Sequence, residues 1–180
     1  MATHFEGLVA RLVSLLDREA LVYMIIGGFA LPHYGAIRST ADLDVAVAVK
    51  DEETFQKFVR KAGEAGFEAV PSSYANPVSV LVERATGLEV EVWLRPDGIS
   101  WDEETIKRRE KVRIGTVQAY VVSPEDFMVT KLARPDRGLQ DEKDVKSVFA
   151  RLGGKIDREY LEERARAAGV SALLQAVERG

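Results

Sequence analysis

Apolar residues recur every three or four positions at the start of the chain, at Phe5, Leu8, Val9, Leu12, Leu15 and Leu16, and the spacing predicts an amphipathic helix over 3–18. The pattern then changes. Residues 21–26 read LVYMII, a continuous apolar run stopped by Gly27-Gly28, which predicts a buried strand. Phe29 to Tyr34 is expected to supply the first turns of a helix that begins on the glycines, with Pro32 tolerated near that beginning and Gly35 ending it. From Ala41 to Lys50 the period becomes two. Leu43, Val45, Val47 and Val49 fall on one face, and Asp42, Asp44, Ala46 and Ala48 on the other, so this segment is a strand.

The alternation between helical and strand periods continues. Asp51-Glu52-Glu53 opens a helix with acids, where the helix dipole favours them, and Phe55, Phe58, Val59 and Ala62 form its apolar stripe. Phe67 to Val70 predicts a short strand, and residues 71–77 a loop. Strands are expected over Val78–Glu83 and Leu88–Leu94, joined by a turn at Arg84–Gly87. In the second, Leu88, Val90, Val92 and Leu94 face one way, and Glu89, Glu91 and Trp93 the other. A short acidic helix near Asp102–Lys107 precedes strands near Lys111–Ile114 and Val117–Val122. Ser123-Pro124-Glu125-Asp126 then reads as a helix start: a capping hydroxyl, a first-turn proline and two acids. Helices follow near 124–133, 141–152, 157–168 and 171–178. The simplest organisation is an α/β core over 1–122 and a helical extension over 123–180 packed on it.

Composition narrows the chemistry. The 180 residues are 46% hydrophobic and 30% charged, ordinary for a globular protein. There is no cysteine, which excludes disulfides, thiolate zinc sites and a cysteine nucleophile together. His4 and His33 are the only histidines, so a bound metal is expected to sit among oxygens. No signal-peptide pattern and no apolar run near the ~20 residues of a membrane span are seen, and the expectation is a cytoplasmic protein with no membrane partner. A net charge of −4 argues against a generic nucleic-acid binder. Local basic clusters exist at Arg108, Arg109, Lys111 and Arg113, and at Lys131, Arg134 and Arg137.

Two acids two apart on a strand project from one face, roughly 6.6 Å apart at the alpha carbons. Asp42 and Asp44 can therefore address one metal cluster. Mg²⁺ takes oxygen ligands, commonly one or two carboxylates with waters and substrate phosphate, and a two-metal site calls for a third acid. Glu91 supplies it if its strand lies beside the first, with Glu89 as the fallback. Gly27-Gly28 lets backbone N–H groups approach phosphate oxygens closely. Each part has a plainer reading alone: a tight turn, a solvent-facing pair, a polar outer face. Their combination in this order carries the chemistry. Neither a P-loop nor a dinucleotide fingerprint is present.

Ile26-Gly27-Gly28, Asp42-Leu43-Asp44-Val45 and Val90-Glu91-Val92 together resemble the nucleotidyltransferase superfamily that includes DNA polymerase beta. More narrowly, GGFALPHYGAIRSTADLDV followed by SPEDFMVTKLAR and DEKDV looks like the small prokaryotic branch related to AbiEii toxins and minimal nucleotidyltransferase (MNT) antitoxins. The resemblance covers about residues 20–150. It implies a small mixed β-sheet with flanking helices, and transfer of a nucleoside monophosphate from an NTP to an acceptor with release of pyrophosphate. Asp42, Asp44 and Glu91 would be catalytic and would bind two Mg²⁺, or Mn²⁺. Gly27, Gly28, Arg38, Thr40 and Lys131 would contact the nucleotide, with Lys131 reaching the triphosphate from a helix. Glu91 stands where the family more commonly has Asp.

Asp141 and Asp144 match the D-x-x-D-V of this branch, but spacing alone favours a solvated acidic face. His33 reads as structural. The acceptor stays open among RNA, a protein side chain and a small molecule. The alternative to an enzyme is an antitoxin-like interaction protein whose partner is a HEPN-type toxin. A toxin acting on tRNA ends is a further expectation, supported only by Lys131 and the Arg108–Arg113 cluster.

Overall fold

In a computed structural model, which describes residues 4–34 and 42–179, the chain forms a mixed seven-stranded sheet flanked by helices. α1 (His4–Arg18) buries the predicted stripe, with Leu8, Val9, Leu12, Leu15 and Leu16 out of solvent. β1 (Tyr23–Ile26) is buried throughout, two residues shorter than the apolar run that announced it. β2 is Leu43–Val47, α2 Glu52–Glu64 and β3 Phe67–Ala69. Asp51 caps α2, its carboxylate accepting from the Thr54 N–H at 2.8 Å. β4 (Val78–Glu83), β5 (Glu89–Trp93), α3 (Glu103–Arg108), β6 (Glu110–Ile114) and β7 (Val117–Val121) follow. Four helices complete the chain: α4 (Pro124–Ala133), α5 (Leu139–Leu152), α6 (Arg158–Ala167) and α7 (Ser171–Arg179).

The strands lie in the order β3-β4-β5-β2-β1-β7-β6. Hairpins account for β4/β5 and β6/β7, and β3/β4 and β1/β2 are also antiparallel. The two parallel pairs, β2/β5 and β1/β7, close the sheet across long connections. The central position of β1 and β2 follows from their composition, because strands without an exposed face are stable only with neighbours on both sides and cover on both faces.

One expected element differs in kind. Behind Gly27-Gly28 the chain makes two 3₁₀ turns, Gly27–Phe29 and Leu31–Tyr34, in place of the first turns of an α-helix. Two such short turns carry little of the dipole that a full helix would aim at a phosphate. Tyr34 ends them by donating its hydroxyl to the Val122 carbonyl after β7.

α4 is the buried axis of the helical part. Every residue from Pro124 to Leu132 is buried, and the helix meets α5, α6 and α7. Its polar groups are accordingly paired. Ser123 caps it, accepting from the Asp126 N–H at 3.1 Å, and Asp126 accepts from the Tyr160 hydroxyl of α6 at 3.0 Å. Among the described residues no helix is long and apolar enough to cross a membrane.

Candidate active site

β2 and β5 lie side by side, with Asp44 directly opposite Glu91. The alternation of the two strands dictates this. Leu43, Val45, Val47, Val90 and Val92 are all fully buried on one face, which turns Asp44, Glu91 and Trp93 to the other, each half-buried. Paired residues on adjacent strands are about 5 Å apart, so the two carboxyl groups meet. Glu89, the fallback for the third acid, is exposed at the start of β5.

β1 contributes the wall. Ile26 pairs with Asp44 across the sheet, and Gly27 follows in a left-handed conformation with φ +68°. A methyl group at Gly27 would overlap Asp44 Oδ2 outright and stand 2.7 Å from its Cγ. Gly27 is thus required twice, for its backbone and for the space that the carboxylate fills. On the other side, the Trp93 indole Nε1 donates to Asp44 Oδ1 at 3.3 Å.

These contacts set the charge state of Asp44. Burial, then the charge and hydrogen bonding of Glu91, push its carboxyl up to about 6, against a smaller downward pull from Trp93 and Lys131. Two carboxylates forced together in a partly desolvated site are the donor set that suits a hard divalent cation, which would relieve their repulsion. Among the described residues, no three acidic or histidine side chains gather into a metal-holding group. Asp42 is exposed just before β2, beside the undescribed residues 35–41, and is not among the residues lining the cleft next to Asp44. Arg38 and Thr40 lie outside the described residues.

Asp44, the inner member of the carboxyl pair, opens onto a cleft between the sheet and α4. Ile26, Gly27, Asp44 and Trp93 line it from the sheet, Pro96 and Asp97 from the segment after β5, and Thr130, Lys131 and Arg134 from the end of α4. The Thr130 hydroxyl donates to the Asp97 carbonyl and so fastens that segment to α4. Burial pushes the Asp97 carboxyl above its ordinary value, with Arg134 opposing.

Lys131 sits in the cleft wall but is not an extended surface lysine. Its side chain is 4% exposed, and its ammonium lies 2.9 Å from Asp141 and 3.2 Å from Asp144. Asp141 and Asp144, expected on a solvated acidic face, are therefore buried, because they neutralise a lysine that α4 carries inside. Burial pushes the Asp141 carboxyl up, yet the Gly138 N–H and Lys131 outweigh it and hold the group below its ordinary value. Arg134 is the more open cation, forked onto Asp136 by Nε at 3.1 Å and Nη2 at 3.0 Å. The Arg108–Arg113 cluster is largely engaged: Arg108 pairs with Asp157 at 2.9 Å, and Arg109 donates to the Tyr23 carbonyl at 2.6 Å. His33 is half-buried, and burial pushes its imidazole below the ordinary value.

Sequence reasoning did not assign Trp93, Asp97, Thr130 or Arg134 to the site. A signal existed for Trp93, which shares the Glu91 face of β5.

The model of the family described as "Nucleotidyltransferase of unknown function" (DUF6036) matches residues 4–177. The chain belongs to this nucleotidyltransferase family. No curated protein matches it in sequence. Solved structures of similar fold include the antibiotic-resistance factor ANT(2'')-Ia, with a TM-score of 0.61 and 15% identity over 100% of both chains. An antigenic nucleotidyltransferase-like protein from Paracoccidioides brasiliensis has a TM-score of 0.57 and 21% identity, over 96% of this chain and 90% of that one. The lincosamide antibiotic adenylyltransferase LnuA, solved with lincomycin, has a TM-score of 0.55 and 13% identity, over 82% of this nucleotidyltransferase and 96% of LnuA. At these identities the likeness is one of fold: a mixed sheet with flanking helices.

Proposed function

We propose that this nucleotidyltransferase moves a nucleoside monophosphate from an NTP to a hydroxyl-bearing acceptor, with release of pyrophosphate, at the cleft where Asp44 faces Glu91. The observation that carries the reading is that pair itself: two carboxyl groups on adjacent strands, walled by a glycine that has no room for a side chain. Asp42, Asp44 and Glu91 would hold two divalent cations, Mg²⁺ or Mn²⁺. Such cations, when bound, neutralise triphosphate charge and lower the pKa of the attacking hydroxyl.

The chain's own residues do the positioning. Trp93 fixes one oxygen of Asp44, and Gly27 leaves the other its place. Backbone N–H groups at Gly27 and Gly28 face the phosphates, with Arg38 and Thr40 as further contacts. The Glu91 carboxylate takes the proton of the acceptor hydroxyl as that oxygen bonds to the α-phosphorus. The bond from the α-phosphorus to the α,β-bridging oxygen breaks, and pyrophosphate leaves. Fold likeness to a lincosamide adenylyltransferase supports small molecules as the first acceptor class to try, with RNA and protein side chains alongside.

Incubation with Mg²⁺, NTPs labelled at the α-phosphate and a panel of acceptors tests the proposal. Label should reach one acceptor class with the wild type and none with Asp42→Ala/Asp44→Ala. Equal transfer by the double variant would move the chemistry elsewhere.

A further inference from the structure

A triphosphate entering this cleft meets the carboxyl groups of Asp44 and Asp97, with Glu91 paired to Asp44 on the next strand, and cations must offset them. Among the described residues the cleft wall offers two, Lys131 and Arg134. Lys131 is spent on the protein, its ammonium enclosed between Asp141 and Asp144. Breaking that buried pairing to reach a ligand would strand two carboxylates away from water.

Arg134 is differently placed. It follows the last residue of α4 and its side chain is 36% exposed. Its fork is occupied by Asp136, a carboxylate two residues on that is 72% exposed, and its remaining ion pair, to Asp141, is long at 3.8 Å. Exposed pairs contribute little and exchange readily with water. A phosphate presents the same two-oxygen geometry to a guanidinium with more charge. We infer that Arg134 contacts the triphosphate, and that Asp136 occupies its guanidinium fork in the free protein and is displaced when the anion binds. The inference rests on the proposed function. Lys131 is then a positioning residue that holds α5 against the end of α4, beside Arg134.

Titration calorimetry of the full chain tests it, with Mg²⁺ and ATP in one series and Mg²⁺ and inorganic tripolyphosphate in the other. Arg134→Gln should weaken both ligands by about tenfold, with Arg134→Lys intermediate because it keeps the charge and loses the fork. Asp136→Asn changes only an exposed carboxylate, so it should fold normally and bind both ligands about three- to fivefold more tightly. Wild-type binding with an undiminished Arg134→Gln would overturn the contact and leave the nucleotidyltransferase reading intact. Undiminished tightness of the wild type beside an unchanged Asp136→Asn would overturn the displacement. A wild type that binds neither ligand would overturn both the inference and the reading on which it rests.

Discussion

Replacing Asp44 with Asn should abolish transfer and stabilise the metal-free protein at neutral pH. In the fold, Asp44 titrates at about 6 against an ordinary 3.8. A folded-state value above the unfolded one means the folded protein holds this proton more tightly. The stabilisation is fully present below about pH 4 and is lost as the pH rises through about 6. The gap corresponds to about 3 kcal/mol at neutral pH, at about 1.4 kcal/mol per tenfold in proton affinity. Asn keeps an oxygen for the Trp93 indole and gains an N–H₂ that can donate to Glu91, so the local contacts survive the loss of charge. Urea unfolding of both proteins with EDTA, at pH 4.5 and 7.5, measures the difference. Asp44→Asn should gain up to about 3 kcal/mol at pH 7.5, on the order of 6–12 °C in melting temperature, and much less at pH 4.5. Adding Mg²⁺ and NTP should narrow the gap by stabilising the wild type alone. A difference independent of pH, or an Asp44→Asn less stable at pH 7.5, would refute the electrostatic account.

Gly27→Ala should be more damaging than a glycine exchange in an ordinary turn. The backbone at φ +68° costs about 1 kcal/mol for an L-residue, and the methyl must also displace the Asp44 carboxylate, so transfer should fall at least a hundredfold while calorimetry shows a lowered melting temperature. Trp93→Phe keeps the ring and deletes the donor to Asp44. Its kcat should fall roughly threefold to tenfold with little change in the KM for NTP, as read from steady-state kinetics. Lys131→Met leaves Asp141 and Asp144 buried without their cation. It should lose about 3–5 kcal/mol at pH 7 in denaturant unfolding.

The strand alternation made the carboxyl-bearing faces of β2 and β5 readable in advance, because a residue's face on a strand is fixed by its neighbours one and two positions away. Their adjacency was a different matter. β5 reaches β2 only after α2, β3 and β4 have intervened, and no local pattern encodes such a pairing. The condition attached to Glu91, that its strand lie beside β2, is met by the register of Asp44 with Glu91. Lys131, Asp141 and Asp144 show the opposite case. Charged residues at helical spacing look solvated until the helix is known to be enclosed, and α4 carries apolar residues on all sides without advertising a buried face. The segment behind the glycines fell between the two. Pro32 and Gly35 do forbid a long helix, yet propensity does not separate an early-ending α-helix from two 3₁₀ turns. Arg134 was legible only as one of a basic cluster, because its surroundings are created by the fold: Asp97 arrives from the segment after β5, and Asp44 from the neighbouring strand β2.

The hydrogen bond between Trp93 and Asp44 joins residues 49 apart in the chain. During synthesis, therefore, Asp44 emerges from the ribosome well before the indole that will orient it or the strand that will carry its partner acid. A parallel pair requires a long crossover, and closing one comes late and slowly compared with hairpin formation. An incomplete chain that has made only β1 and β2 displays the aspartates without the constellation that gives them a purpose. Competence for group transfer should appear in one step with the completed sheet, which makes the recovery of activity during refolding a direct clock for its slowest long-range pairing.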